Sequence, residues 1–117
     1  MEIDLLKPFN YTLQNKGKNF RTALIQLFAS IYEVPEELIE QISSDITCIH
    51  TTSINIDDIQ DESTTRRSKT CSYLIYGVAN TINASFYALF KTLENMEHKY
   101  PIQVTQIVLK EIVNLHE

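Results

Sequence analysis

Apolar residues recur at three- and four-residue steps through most of this chain, the spacing of helices with one buried side rather than of alternating strands. Phe20, Leu24, Leu27, Phe28 and Ile31 form a one-sided stripe between Asn19 and Tyr32, which predicts an amphipathic helix. Leu38, Ile39, Ile42, Ile46, Ile49 and Ile56 form another, from Pro35 to Gln60 with no internal Gly or Pro. This is the longest predicted helix. Its start is well specified, because proline suits the first turn and Glu36 and Glu37 complement the positive end of the helix dipole. Residues 8–15 predict a short helix and residues 62–70 a polar connection. Stretches 71–76 and 78–96 predict a pair of helices split at Gly77, and a last helix follows Pro101. No repeat, low-complexity tract or second domain is evident.

Composition narrows this to a single all-α domain or part of one. A chain of 117 residues buries one modest core. With 44% hydrophobic and 21% charged residues it should pack rather than stay disordered. Two glycines and three prolines are too few for a many-turned β-sandwich or barrel. The net charge of −5 disfavours nonspecific binding to nucleic acid or anionic membranes. The acidic start MEIDLLKPFN lacks the basic and apolar blocks of a signal peptide, and no window reaches the roughly 20 apolar residues of a membrane span. Cys48 and Cys71 have no metal-ligand spacing and read as reduced thiols. A cytoplasmic location is the expectation.

The chemistry concentrates in INIDDIQDESTTRR, residues 54–67, where Asp57, Asp58 and Asp61 are followed by Arg66 and Arg67. At about 100° per residue, His50, Ile54, Asp57 and Asp61 fall within about 60° of one another on the long helix. Asp57 and Asp61, one turn apart, can offer oxygens to a hard cation, and magnesium needs only one or two carboxylates when substrate phosphates and water complete its shell. Asp58 lies about 100° round and is the less direct ligand. The alternative is a polar helix end facing water. Acidic residues at a helix C-terminus oppose the dipole, however, and three of them with no lysine one turn away require another reason. A second basic feature is GKNFR, residues 17–21, where Lys18 and Arg21 sit one turn apart near a helix start, an arrangement suited to a diphosphate. Taken alone it is weak evidence and reads more readily as a solvated basic helix start.

Taken in order, GKxxR, a helix bearing histidine, DDxxD, four residues and RR resemble the polyprenyl diphosphate synthases, the trans-prenyltransferase family, and most of all the geranylgeranyl diphosphate synthases of animals. The resemblance extends from PFNYTLQNKGKNFRT through HTTSINIDDIQDESTTRR to YLIYGVANTINASFYALF and the terminal LH. It implies a partial orthogonal helical bundle of the isoprenoid synthase type, residues 1–117 being the N-terminal portion of a single domain without its C-terminal helices. It further implies that Asp57, Asp58 and Asp61 are the catalytic aspartates. Asp57 and Asp61 would hold Mg²⁺, Asp58 would assist, and Arg66 would contact the allylic diphosphate. Lys18, Arg21, His50 and Arg67 would bind isopentenyl diphosphate. Thr52 and Ser53 would form the floor that limits product length, and with neither residue large a full-length relative would admit products longer than farnesyl.

Three positions depart from the family pattern. Asn55 stands where an aliphatic residue is usual and needs a partner if buried. Ser68 replaces a glycine in a loop that can require positive φ. Tyr73 takes the place of a histidine. Family members are also more than twice as long and carry a second aspartate-rich motif on a later helix, whereas no aspartate follows Asp61 here. The expectation is a truncated geranylgeranyl-type synthase, inactive alone, with exposed apolar faces that favour a homo-oligomer or pairing with a full-length synthase. The competing expectation is a noncatalytic paralogue or splice form that pairs with an intact synthase and modulates it.

Overall fold

A computed structural model describes residues 2–15 and 20–116. Two short helices, α1 (Glu2–Leu5) and α2 (Lys7–Gln14), precede α3 (Phe20–Ile31) and the long α4 (Glu36–Gln60). A hairpin of β1 (Thr65–Arg66) and β2 (Lys69–Thr70) leads to α5 (Ser72–Tyr76), α6 (Val78–Lys99) and α7 (Ile102–His116). The predicted helices are present with boundaries close to those expected. Two features differ from expectation: the added turn of α1, and the hairpin within what reads as a polar connection.

Local chemistry explains the breaks. Pro35 caps α4 with an extended ψ of 139°, so it sits just before the first turn, and Glu36 and Glu37 occupy that turn. At the other end Glu62 takes a left-handed φ of 54°. That reversal lets the Ser63 N–H donate to the Asp58 carbonyl at 3.0 Å and satisfies one end-of-helix acceptor. Gly77 has a φ of 90°, and nothing lies within 4 Å of where a Cβ would stand. Its role is therefore conformational freedom rather than close approach. Tyr100 is extended at φ −122° and ψ 159°, as expected for the residue before Pro101.

Helices α4 and α6 form the central pair and run antiparallel. Asp45 meets Lys99 and Tyr100 near one end, and Thr52 and Asn55 meet Ser85 further along. Helix α2 packs across them, and its Phe9 joins Ala84 and Ala88 of α6 in the apolar core, flanked by Leu6, Leu13 and Cys48. The two alanines let the helices approach closely, so burial is achieved with small side chains.

A polar seam runs through this interface. Asn55, 1% exposed, accepts a 2.6 Å hydrogen bond from the Thr12 hydroxyl and donates at 3.2 Å to the Ser85 hydroxyl. The Thr52 hydroxyl donates to the Ser85 carbonyl at 3.0 Å. The partner that a buried asparagine requires is thus supplied from two neighbouring helices. Further along, Asp45 accepts from Tyr100 at 2.7 Å and from Lys99 at 2.8 Å, which ties the end of α6 to α4.

Other apolar faces are left uncovered. Phe86 and Phe90 stack on the outside of α6 with centroids 6.2 Å apart, Phe90 being 63% exposed. On α7, Ile102, Ile107, Leu109, Val113 and Leu115 are all exposed. Among the described residues no helix is long and apolar enough to cross a membrane.

Candidate functional site

One face of α4 is half-buried along most of its length and opens to solvent at its C-terminal end. Ile39, Ile46, His50 and Ser53 on it are half-buried, and Asp57 and Asp61 at its C-terminal end are exposed. This is the face on which the helical period places the histidine and two of the aspartates. The next face round, carrying Thr51, Ile54 and Asp58, is buried. The three aspartates therefore divide: Asp57 and Asp61 are exposed, and Asp58 is 3% exposed.

A buried carboxylate requires compensation, and Asp58 obtains it from Arg66 of the hairpin. Arg66 Nε lies 3.0 Å from both Asp58 oxygens and Nη2 lies 2.7 Å from Oδ1. This is the forked geometry in which a guanidinium binds a carboxylate most strongly. The bond to Asp58 pushes the Arg66 guanidinium further above its ordinary range. Cys71 lies 2% exposed beside the same carboxylate. Burial, and after it a hydrogen bond to Asp58, pushes its thiol up to about 11, so at neutral pH it is a neutral donor rather than a nucleophile.

The hairpin that carries the arginines turns through Arg67 and Ser68, with φ of 52° and 68°. Two positive values at the centre of a two-residue loop mark the mirror-image turn that matches strand twist. Ser68 therefore does adopt the conformation for which glycine is suited. Arg67 Nη1 donates to the Asn15 carbonyl at 2.5 Å, the Asn15 side chain donates to the Arg66 carbonyl at 2.9 Å, and the Tyr11 hydroxyl donates to the Thr70 carbonyl at 2.7 Å. These bonds clasp the hairpin to the end of α2. The Tyr73 hydroxyl donates to the Ser63 carbonyl at 2.5 Å, which joins α5 to the turn after α4.

Of the predicted site residues, Asp57, Asp58, Asp61 and Arg66 are brought together at the C-terminal end of α4. Arg67 is held against Asn15, directly before the segment that contains Lys18. Lys18 itself and the Arg21 side chain lie outside the described residues. His50 lies two turns below Asp57 on the same face and is half-buried. Thr52 is buried against α6, whereas Ser53 lies on the open face one turn below Asp57, its hydroxyl bonded to the His50 carbonyl at 2.6 Å. The sequence does not single out Tyr11 or Asn15, and it reads Cys71 only as a reduced thiol, not as a neighbour of Asp58. Only the four-residue step between Tyr11 and Asn15 hints that they share a face.

The donor set suits a partial rather than an enclosed metal site. Among the described residues no group of three or more His, Cys, Asp or Glu side chains is disposed around one point. The Asp57 and Asp61 side chains make no hydrogen bond or ion pair there, which leaves two carboxylates on one side. That number is enough for magnesium when phosphate and water supply the remaining oxygens.

The polyprenyl synthetase family model matches residues 3–117. The chain is 34% identical over 115 residues to a geranylgeranyl pyrophosphate synthase of Dictyostelium discoideum, covering 98% of this chain and 38% of that protein. It is 38% identical over 109 residues to geranylgeranyl pyrophosphate synthase 1 of Zymoseptoria tritici, covering 93% of this chain and 32% of that protein. It is 36% identical over 116 residues to a terpene synthase of Matsumurasca onukii, covering 99% of this chain and 38% of that protein. The chain thus spans only 27% to 38% of the length of such relatives.

Proposed function

The chain belongs to the polyprenyl synthetase family, and from that premise we propose that its 117 residues are the N-terminal portion of one geranylgeranyl-type diphosphate synthase domain. The reaction joins an allylic diphosphate to isopentenyl diphosphate. The allylic carbon–oxygen bond breaks and the electron pair leaves with the diphosphate. The isopentenyl double bond attacks the carbocation, and a proton is then lost. The observation that carries this reading is the split among the aspartates: Asp57 and Asp61 are exposed and unpaired among the described residues, and Asp58 is committed to Arg66.

In this scheme Asp57 and Asp61 would hold Mg²⁺, which would supply positive charge to offset that developing on the departing diphosphate. Asp58 acts through Arg66 as a positioning residue. It takes the Nε edge of the guanidinium and leaves the outer edge for the allylic diphosphate. Arg67, Lys18, Arg21 and His50 take the isopentenyl diphosphate. The hydrocarbon runs down the open face of α4, past Ser53 toward Ile46 and Ile39. Ser53 therefore limits product length more directly than Thr52, whose hydroxyl is turned to α6. The residues of this chain alone are inactive, and the apolar faces of α6 and α7 favour a homo-oligomer or pairing with a full-length synthase.

The exposed Phe86–Phe90 stack equally suits the second reading, a noncatalytic paralogue or splice form seated on an intact synthase. Incubating the purified chain with isopentenyl diphosphate, farnesyl diphosphate and Mg²⁺, alone and with a full-length synthase, separates the readings. The proposal expects allylic diphosphate to bind the chain in a Mg²⁺-dependent manner with no elongated product. A chain that alters the activity of the full-length synthase without binding either diphosphate favours the second reading. Elongation by the chain alone overturns the claim of inactivity.

A further inference from the structure

The hairpin register sets Lys69 directly opposite Arg66. Directly paired residues of an antiparallel ladder project from the same face, with Cβ atoms about 4.5–5.5 Å apart. Arg66 uses that face to reach Asp58, so Lys69 stands beside the Asp58–Arg66 pair. The arrangement is unfavourable in isolation, because like charges directly opposite each other destabilise a hairpin. The strain is compounded at the turn, where Arg67 and Ser68, neither of them glycine, both hold positive φ. Asp58 compensates one of the three cations in Arg66–Arg67–Ser68–Lys69, and Arg67 donates through Nη1 to a neutral carbonyl. Lys69 is exposed and forms no ion pair among the described residues. The Lys69 ammonium is therefore available to an added anion, with the exposed carboxylates Asp57 and Asp61 close by on the same end of α4.

We propose that Lys69 is a further diphosphate-binding residue, a point-charge contact beside the outer edge of Arg66 that turns the hairpin into a two-cation clamp on one diphosphate group. An oxyanion between the two side chains converts their mutual repulsion into two charge-assisted contacts. Arginine supplies a directed fork and lysine a mobile ammonium, so the pair tolerates a ligand that shifts as its bond to carbon breaks. This proposal rests on the prenyltransferase reading of the same site.

The test is the affinity of the intact chain for inorganic pyrophosphate with Mg²⁺, measured by calorimetry on the wild type and on Lys69→Ala, Lys69→Arg, Lys69→Glu, Arg66→Ala and, as a remote control, Lys110→Ala. Far-UV circular dichroism verifies that each variant is folded. Loss of one charge-assisted contact weakens binding about tenfold in Lys69→Ala. Lys69→Glu should weaken it more, Lys69→Arg should stay near the wild type, and Lys110→Ala should be unchanged. If Lys69→Ala and Lys69→Glu bind as the wild type does and Arg66→Ala is weakened, Lys69 is no part of the clamp and the prenyltransferase reading stands. If the wild-type chain itself does not bind pyrophosphate, both fail.

Discussion

Replacing Arg66 with alanine removes the only cation within hydrogen-bonding distance of Asp58 among the described residues, while leaving that carboxylate 3% exposed. Stripping one partner from a fully buried ion pair costs about 3–5 kcal/mol. Two features reduce the figure here. The Arg66 side chain is 35% exposed, so truncation admits water to the carboxylate. The Cys71 thiol also remains as a donor. The expected loss is therefore about 2–3 kcal/mol. Asp58→Asn keeps the shape and removes the charge, and the freed arginine can turn to solvent, so about 1–2 kcal/mol is expected. Urea unfolding of both single variants and the double variant, followed by far-UV circular dichroism, closes the cycle. The double variant should lie close to Asp58→Asn, with a coupling of at least about 1 kcal/mol. Single effects that add to within about 0.5 kcal/mol would refute the claim that Asp58 and Arg66 act as one unit.

Further outcomes follow from the same geometry. Asn55→Leu strands the hydroxyls of Thr12 and Ser85 and should cost about 1–3 kcal/mol in denaturant unfolding, with much of the loss recovered when Thr12→Val and Ser85→Ala are added. Ser68→Gly relieves a left-handed serine, and after the extra flexibility of glycine in the unfolded chain is subtracted it should stabilise by about 0.5–1 kcal/mol, read as a rise in Tm. The Cys71 thiol rises from 9.0 to about 11 in the folded state. Its contribution is complete below pH 9 and is lost as pH climbs through about 11, by on the order of 2–3 kcal/mol. Tyr100, raised by burial and by its bond to Asp45, contributes in the same direction, so the share due to Cys71 is the alkaline slope that disappears in Cys71→Val.

The helices were legible because each rests on local signals: apolar spacing in α3 and α4, Pro35 with its glutamates, the break at Gly77 and the stop before Pro101. The hairpin was not. Arg-Ser is a poor sequence signal for a turn that glycine and asparagine dominate, and the hairpin is held by distant contacts from Tyr11 and Asn15 that no local pattern encodes. The same limit applies within the site. Periodicity puts Asp57 and Asp61 on one face and Asp58 on another. That Asp58 is buried and committed to Arg66 depends on the chain folding back through Glu62, which becomes visible only in three dimensions. Asn55 reads as an anomaly along α4 because its partners lie 43 residues before it and 30 after it.

Asp57 and Asp61 are proposed as the open half of a metal–diphosphate site. The most direct test is calorimetric titration of Mg²⁺ into the intact chain with and without inorganic pyrophosphate, for the wild type and for Asp57→Ala/Asp61→Ala. Both residues are exposed, so the double variant should fold normally. The wild type should bind Mg²⁺ weakly and more tightly with pyrophosphate, and the double variant should lose both the binding and the enhancement. Identical heats for the two proteins in the presence of pyrophosphate would contradict it.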